Sequence, residues 1–100
     1  MVKHIILWTL KSEYSAEEKE KIKTDIKNGL EGLSGKIDGL TDIKVYTCPL
    51  ETSNVDLCLD STFTDFDALK GYAVHPDHVW VAKNLVVPFT AERRCIDFEI

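Results

Sequence analysis

The first ten residues place apolar side chains on both faces of a predicted strand. The segment Val2–Leu10 alternates between two apolar sets, which are Ile5 and Leu7 on one face and Ile6, Trp8 and Leu10 on the other. A strand that is apolar on both faces is normally covered on both sides. Helices of the same chain can cover one face, but 100 residues leave little for a further layer. We therefore expect a second copy of the chain to cover the other face.

A helix is predicted after this strand. Ser15 and Glu18 have the spacing of a capping box, with Ser15 as N-cap. Behind the box, apolar residues at helical spacing form a narrow stripe that is expected to be buried: Ile22, Ile26, Leu30, Leu33 and Ile37. Gly35 is expected to end the helix, and Asp38-Gly39 predicts a turn.

Three further strands are predicted. The first is a short strand at Ile43–Thr47, and a loop at Cys48–Asn54 separates it from an alternating strand at Val55–Thr64. The last strand is Glu92–Ile100.

Two short helices are predicted between the last two strands. Thr64 with Asp67 caps the first, which is expected to bury three apolar residues, Phe66, Leu69 and Ala73. Pro76 is placed to open the second helix. That helix should end near Val87, because the proline at position 88 disfavours helical geometry in the residue before it.

The resulting order, β-α-β-β-α-(α)-β, predicts a single domain over residues 1–100 of the α+β class. It is the ferredoxin-like order, a four-stranded antiparallel sheet with helices on one face. Because the other sheet face stays bare and partly apolar, we expect a homodimer that joins two sheets face to face, which is a dimeric α/β barrel.

The composition limits the classes of binding partner and the cell compartment that we expect for this chain. The chain is 44% hydrophobic and carries a net charge of −5, so no basic surplus favours nucleic acid or an anionic membrane. The N-terminal apolar run is too short for a signal peptide or a membrane span. We predict that the three cysteines are reduced and mostly buried thiols, and that Cys48 is more exposed than Cys58 and Cys95. We expect a cytoplasmic protein.

Two of the three histidines lie at the start of the second short helix. With Pro76 at its first position, His75 is the N-cap and His78 lies at N3, on the arc that faces the core. A positive helix end lowers the pKa of a histidine, which favours a neutral imidazole that can accept a proton. The alternative for His75 is a purely structural cap.

His4, Tyr72 and Asp97 complete the candidate chemistry. His4 shares a strand face with Ile6 and Trp8, Asp97 could orient the imidazole of a histidine base, and Tyr72 could donate to a carbonyl or oxyanion. Each of these three residues also has a purely structural interpretation. His4 is then a satisfied core histidine, Tyr72 a packing residue, and Asp97 a partner of the neighbouring arginines 93 and 94.

The sequence lacks the motifs that are typical of several other classes of enzyme and of nucleotide-binding proteins. The sequence contains no Gly-x-Ser-x-Gly, no GxGxxG and no P-loop, and no cysteine lies beside a histidine. A three-histidine zinc site made of His4, His75 and His78 is a competing interpretation without an acidic partner motif. We expect no cofactor and no metal.

Three segments together resemble the stress-responsive dimeric α/β-barrel (Dabb) family. They are Val2–Trp8, the Tyr-x-x-His-Pro-x-His run Tyr72–His78, and the pair Asp97-Phe98. The resemblance implies a ferredoxin-like protomer whose sheet packs on that of a partner. In a plant cyclase of this family, which closes a linear polyketide by a cofactor-free aldol reaction, the tyrosine and the second histidine of the motif carry the chemistry. The resemblance thus implies roles for Tyr72 and His78, with His4 and Asp97 in support.

Two functional hypotheses follow for a homodimer. The first is binding of a small hydrophobic or carbonyl-containing molecule in a pocket between sheet and helices, lined by His4, Ile6, Trp8, Leu59, Ser61 and His75. The second is a cofactor-free cyclase or lyase in which His78 is the base, Tyr72 stabilises the enolate oxygen and Asp97 orients His78. A cofactor-independent monooxygenase on the same architecture is a third interpretation.

Overall fold

Four strands and three helices follow one another in the predicted order. The computed structural model describes all residues, 1–100, and contains β1 (Val2–Leu10), α1 (Ala16–Glu31), β2 (Leu40–Tyr46), β3 (Leu57–Phe63), α2 (Phe66–Val74), α3 (Pro76–Val81) and β4 (Thr90–Glu99). Between α3 and β4 the chain makes a π-helical turn, Ala82–Val86, and a 3₁₀ turn, Val87–Phe89. None of the helices combines the length and the apolar character that crossing a membrane requires.

The strands form one antiparallel sheet in the order β2-β3-β1-β4. Strand β1 is therefore central and pairs with both β3 and β4. The register sets His4 opposite Ser61 on β3 and opposite Asp97 on β4. This pairing, rather than proximity in sequence, assembles the polar part of the site described below.

The two faces of β1 confirm the expectation drawn from its pattern. The even-numbered side chains, from Val2 to Leu10, are buried beneath the helices, whereas Ile5 and Leu7 on the other face are half-buried. Next to them on β4, Ile96 and Phe98 are exposed in the protomer. The chain thus carries an apolar patch on the sheet face that its own helices leave open, and we call these four residues the open-face patch.

Helix α1 begins at the predicted capping box but ends earlier than expected. Ser15 accepts from the backbone N–H of Glu18, whose side chain accepts from the Ser15 N–H. The predicted stop at Gly35 is wrong, because the helix ends at Glu31 with Gly32 as its C-cap. Beyond it, tight turns still bury the last two stripe residues, Leu33 and Ile37, and Gly35 adopts a positive φ of 80° within them.

Helix α2 is capped one residue later than predicted. Asp65, not Thr64, is the N-cap, and its side chain accepts from the Ala68 N–H at 2.8 Å. The predicted buried face of this helix is wrong for Phe66 and Ala73, which are exposed. The buried residues of the helix are Leu69 and Tyr72. The exposed Phe66 ring instead contacts the ammonium group of Lys70, 5.0 Å from its centroid.

The last helical segment is not one continuous helix. Pro76 opens α3 and His75 caps it as predicted, but regular α-helix ends at Val81 rather than near Val87. The π-helical turn that follows has five residues and lets Val81 and Val86, five positions apart, both face the core. This turn forms one wall of the cavity between the sheet and the helices.

Candidate functional site

His4 is held in place by Asp97. Both lie on the helix-facing side of adjacent strands, and Nδ1 of His4 is 2.5 Å from Oδ1 of Asp97. A carboxylate only accepts, so Nδ1 carries a hydrogen, and in the neutral ring Nε2 keeps the lone pair. On the other side, the hydroxyl of Ser61 donates to the backbone carbonyl of His4 at 2.9 Å. His4 is thus an oriented imidazole in a buried position, 7% exposed.

This pairing differs from the role expected for Asp97. The expectation that Asp97 orients His78 is wrong, because the strand register places the carboxylate against His4. Pairing of Asp97 with Arg93 or Arg94 is not observed either, and Arg94 lies 3.8 Å from Glu92 instead. Asp97 does not line the cavity and contacts the site through His4.

Tyr72 lies between the two imidazoles. Its ring is 1% exposed, and its centroid is 4.1 Å from that of His78 and 6.1 Å from that of His4. The phenol hydroxyl is buried, and no protein group forms a hydrogen bond with it. Burial raises the pKa of Tyr72, so the phenol stays protonated and remains a donor. A buried hydroxyl without a partner is an exception among buried polar groups and calls for a reason.

His78 faces the same space from α3, the inward orientation that its helical position predicts. Its Nδ1 is 3.4 Å from the backbone carbonyl of Ala73, which can only accept, so the neutral ring presents Nε2 as the basic nitrogen. The pKa of His78 is lowered, mainly by burial and further by the positive charge of Arg93, although the contact with the Ala73 carbonyl acts in the opposite direction. The direction agrees with the expectation, but its main cause is burial rather than the helix end.

These side chains border a cavity of about 280 Å³ between the sheet and the helices. Of the predicted lining, the structure includes His4, Ile6, Trp8 and Leu59, together with Tyr72 and His78. Ten of the 14 lining residues are hydrophobic, so the cavity is apolar apart from a few side chains. The volume is small for a ligand pocket, whose usual range is roughly 300–1,000 Å³.

Two predicted lining residues serve the fold instead. Ser61 is fully buried and bonds across the strand pair to His4. His75 accepts from the Asp77 N–H through Nδ1 at 3.1 Å, which confirms the capping alternative. With His75 used in this way, the three-histidine metal site is not assembled.

Arg93 is the charged lining residue that the sequence interpretation missed. It lies on β4 opposite Trp8, and its guanidinium group is the only permanently charged group of the lining. Arg93 shares its strand parity with Cys95 and Asp97, so the same alternation that turned Asp97 inward also pointed to it. Thr90, Ala82, Val86 and Val87 were missed as well, and the last three lie in or next to the π-helical turn, which changes which residues of that segment face the cavity.

The cysteines are less buried than expected. Cys48 is exposed as predicted, but Cys95 is also exposed and Cys58 is half-buried, and all three thiols are free. Cys95 is exposed because β4 is an edge strand whose residues are poorly covered by the helices. Its sulfur lies near Nδ1 of His4 and Oδ1 of Asp97, so three potential metal ligands fall within 4.8 Å. The His4–Asp97 hydrogen bond already accounts for two of them.

Comparison with solved structures gives matches over nearly the whole chain. A dimeric protein of unknown function with a ferredoxin-like fold from Bacteroides fragilis is 32% identical, with a TM-score of 0.92 over 99% of this chain and 95% of its own. A Dabb family protein from Mesorhizobium loti is 25% identical, with a TM-score of 0.76 over 99% and 95%. A hydroxynitrile lyase from Passiflora edulis shares the fold at 19% identity, with a TM-score of 0.73 over 99% and 92%.

No curated protein matches the sequence. The family model of the stress responsive A/B barrel domain, in contrast, matches residues 2–100. That span contains every element of the fold and every residue of the site. The chain therefore belongs to the stress-responsive A/B barrel (Dabb) family.

Proposed function

We propose that this chain acts as a homodimer that binds a small, largely apolar molecule with a carbonyl group in the cavity between sheet and helices. The observation that carries the proposal is the buried hydroxyl of Tyr72, which no protein group satisfies. Such a donor beside an apolar cavity fits a ligand oxygen, because leaving a buried hydroxyl unpaired costs roughly 1–3 kcal/mol.

The homodimer rests on the open-face patch. Ile5, Leu7, Ile96 and Phe98 form an apolar strip across two adjacent strands, and packing on a second sheet would bury it. The relative from Bacteroides fragilis is described as dimeric. We place the dimer in the cytoplasm, in keeping with three free thiols.

A second function, cofactor-free acid/base catalysis, is supported by the two imidazoles beside Tyr72. Nε2 of neutral His78 would take a proton from the carbon next to the ligand carbonyl, and the Tyr72 hydroxyl would donate to the enolate oxygen that forms. Asp97 enters this proposal as the residue that positions His4, a second oriented imidazole at the same cavity. The hydroxynitrile lyase among the structural neighbours is a precedent for catalysis on this fold.

Binding is tested with a pair of probes that differ in one group. Benzylacetone carries a ketone, and butylbenzene replaces it with a methylene group. NMR titration of the wild type should show tighter binding of the ketone, by about threefold to tenfold for one hydrogen bond. Tyr72→Phe should abolish that preference without weakening butylbenzene binding. A preference that persists in Tyr72→Phe would show that the hydroxyl is not the partner of the carbonyl.

Catalysis is tested by proton exchange at carbon. In deuterated water, the wild type should accelerate exchange of the benzylacetone protons next to the carbonyl. His78→Gln should lower that acceleration by roughly 10²–10⁴-fold. His75→Asn is the matched control, because asparagine keeps an acceptor at the N-cap of α3. Binding of benzylacetone without any accelerated exchange would support the proposed binding function and contradict the proposed catalytic function.

A further inference from the structure

Arg93 is a cation that faces an apolar cavity without a carboxylate partner. The chain's ion pairs join Lys3 to Asp60, His4 to Asp97, Arg94 to Glu92 and three lysines to carboxylates on their own helices, and Arg93 belongs to none of them. The lining of the cavity contains no aspartate or glutamate.

The contrast with the next residue is informative. Arg94 lies on the opposite face of the same strand and is close to Glu92. Arg93 has the same length, charge and edge-strand position, yet its side chain lines the cavity. In a chain of net charge −5, acidic partners are plentiful, so a guanidinium group left without one beside the cavity is a specific feature.

The surroundings of Arg93 indicate the kind of anion it would bind. Arg93 is paired with Trp8 across β4 and β1, which brings their Cβ atoms to about 5 Å, and both side chains line the cavity. Thr90 adds a hydroxyl to the same lining. A guanidinium group presents two parallel N–H donors that match a carboxylate. One cation balances a monoanionic carboxylate, whereas a dianionic phosphate would leave a charge uncompensated in this lining.

We propose that the ligand of this cavity is a small keto acid whose carboxylate is bound by Arg93 and whose apolar body fills the space towards Tyr72 and His78. This inference rests on the proposed function, since it assigns the second polar end of the same ligand. It also fixes the orientation of that ligand. The carboxylate lies beside β4, where Arg93 is both exposed and part of the lining, and the carbonyl lies inside, beside the buried phenol.

The test uses benzoylpropionate and its primary amide, two probes of the same size and shape that differ in charge. NMR titration of the wild type should give a dissociation constant about tenfold lower for the acid than for the amide. That ratio lies between the values typical of an exposed ion pair and of a buried charge-assisted hydrogen bond. Arg93→Gln should bring the two constants together by weakening only the acid, and Arg93→Lys should retain part of the preference.

Arg94→Gln is the matched control and should leave both dissociation constants unchanged. Equal binding of acid and amide by the wild type, with no effect of Arg93→Gln, would overturn the carboxylate inference and leave the proposed function intact. Failure of both probes to bind would instead overturn the proposed function. A loss of acid preference in Arg94→Gln as large as that in Arg93→Gln would show that the preference is a general effect of net charge.

Discussion

Asp97 accepts a hydrogen bond from Nδ1 of His4 across the pairing of β1 with β4, and the two residues are 93 positions apart in the chain. The pairing joins the first strand of the fold to the last. It gives His4 the partner that sequence reasoning had assigned to His78. Two imidazoles with different supports therefore lie at one cavity, His4 held by a carboxylate and His78 by a backbone carbonyl.

Substitution of Asp97 should affect His4 and spare His78. In Asp97→Asn the partner of Nδ1 becomes a neutral amide, so the ring ¹⁵N resonances of His4 should shift in heteronuclear NMR spectra. The ring resonances of His78 should keep their wild-type positions, because its Nδ1 contacts Ala73. Glu99→Gln, two residues further along the same strand, is the control. A response at His78 with none at His4 would contradict this geometry.

Tyr72→Phe should not destabilise the fold, in contrast to most changes at a buried tyrosine. The substitution removes a hydroxyl that has no protein partner and keeps the ring contacts with Phe63 and His78. We expect the free energy of unfolding to stay constant or rise by up to about 1 kcal/mol. Urea denaturation at matched protein concentration measures it, with the exposed Tyr46→Phe as the control. A loss of about 2 kcal/mol would mean that the hydroxyl is satisfied within the protein.

The lowered pKa of His78 should make stability depend on pH. Because the folded state holds this imidazole below its ordinary pKa of 6.5, the unfolded chain binds more protons in the interval between the two values. Stability should therefore fall as the pH drops through about 6.5 and level off below the folded-state pKa. Denaturation of the wild type and of His78→Gln across this range should show a shallower slope in the variant. An unchanged slope would mean that the folded state does not disfavour the charged ring.

The open-face patch should hold the dimer together. Ile96 is 60% exposed in the protomer and lies beside Ile5, so Ile96→Glu would place a charge in a sheet-to-sheet contact. Sedimentation of the wild type should give twice the chain mass of 11.3 kDa, and the variant should dissociate or unfold. Val74→Glu is the control, since Val74 is 75% exposed at the end of helix α2. A dimer that tolerates Ile96→Glu but not Val74→Glu would place the contact on the helices.

The fold could be predicted from the sequence to a large extent because its signals are local and periodic. The two apolar parities of β1, the capping box at Ser15 and the proline after His75 each depend on neighbouring residues. They define the order of the elements and the need for a cover on the open face. The end of α1 was missed because burial of Leu33 and Ile37 does not require continuous helix, since tight turns place both in the core.

The site could be predicted only in part, because its contacts depend on register. Alternation along β4 indicated that Asp97 faces inward, but parity alone does not tell which residue of another strand lies opposite. The partner is fixed by the pairing of His4 with Asp97, which no local pattern encodes. Arg93 was overlooked for a different reason. It stands beside Arg94 in sequence and was considered with it only as a partner of Asp97, although alternating strand residues face opposite sides.

Because of the π-helical turn at Ala82–Val86, the number of residues in this segment affects the shape of the cavity. Such a turn holds one residue more than the α-helical turn it replaces. Removal of a single residue here would restore regular helix and rotate every residue after it, up to β4, by about 100°. Val86 and Val87 would then leave the cavity wall without any change in their identity. Relatives that differ by one residue at this point should therefore enclose cavities of different shape, even where the histidines and the tyrosine are the same.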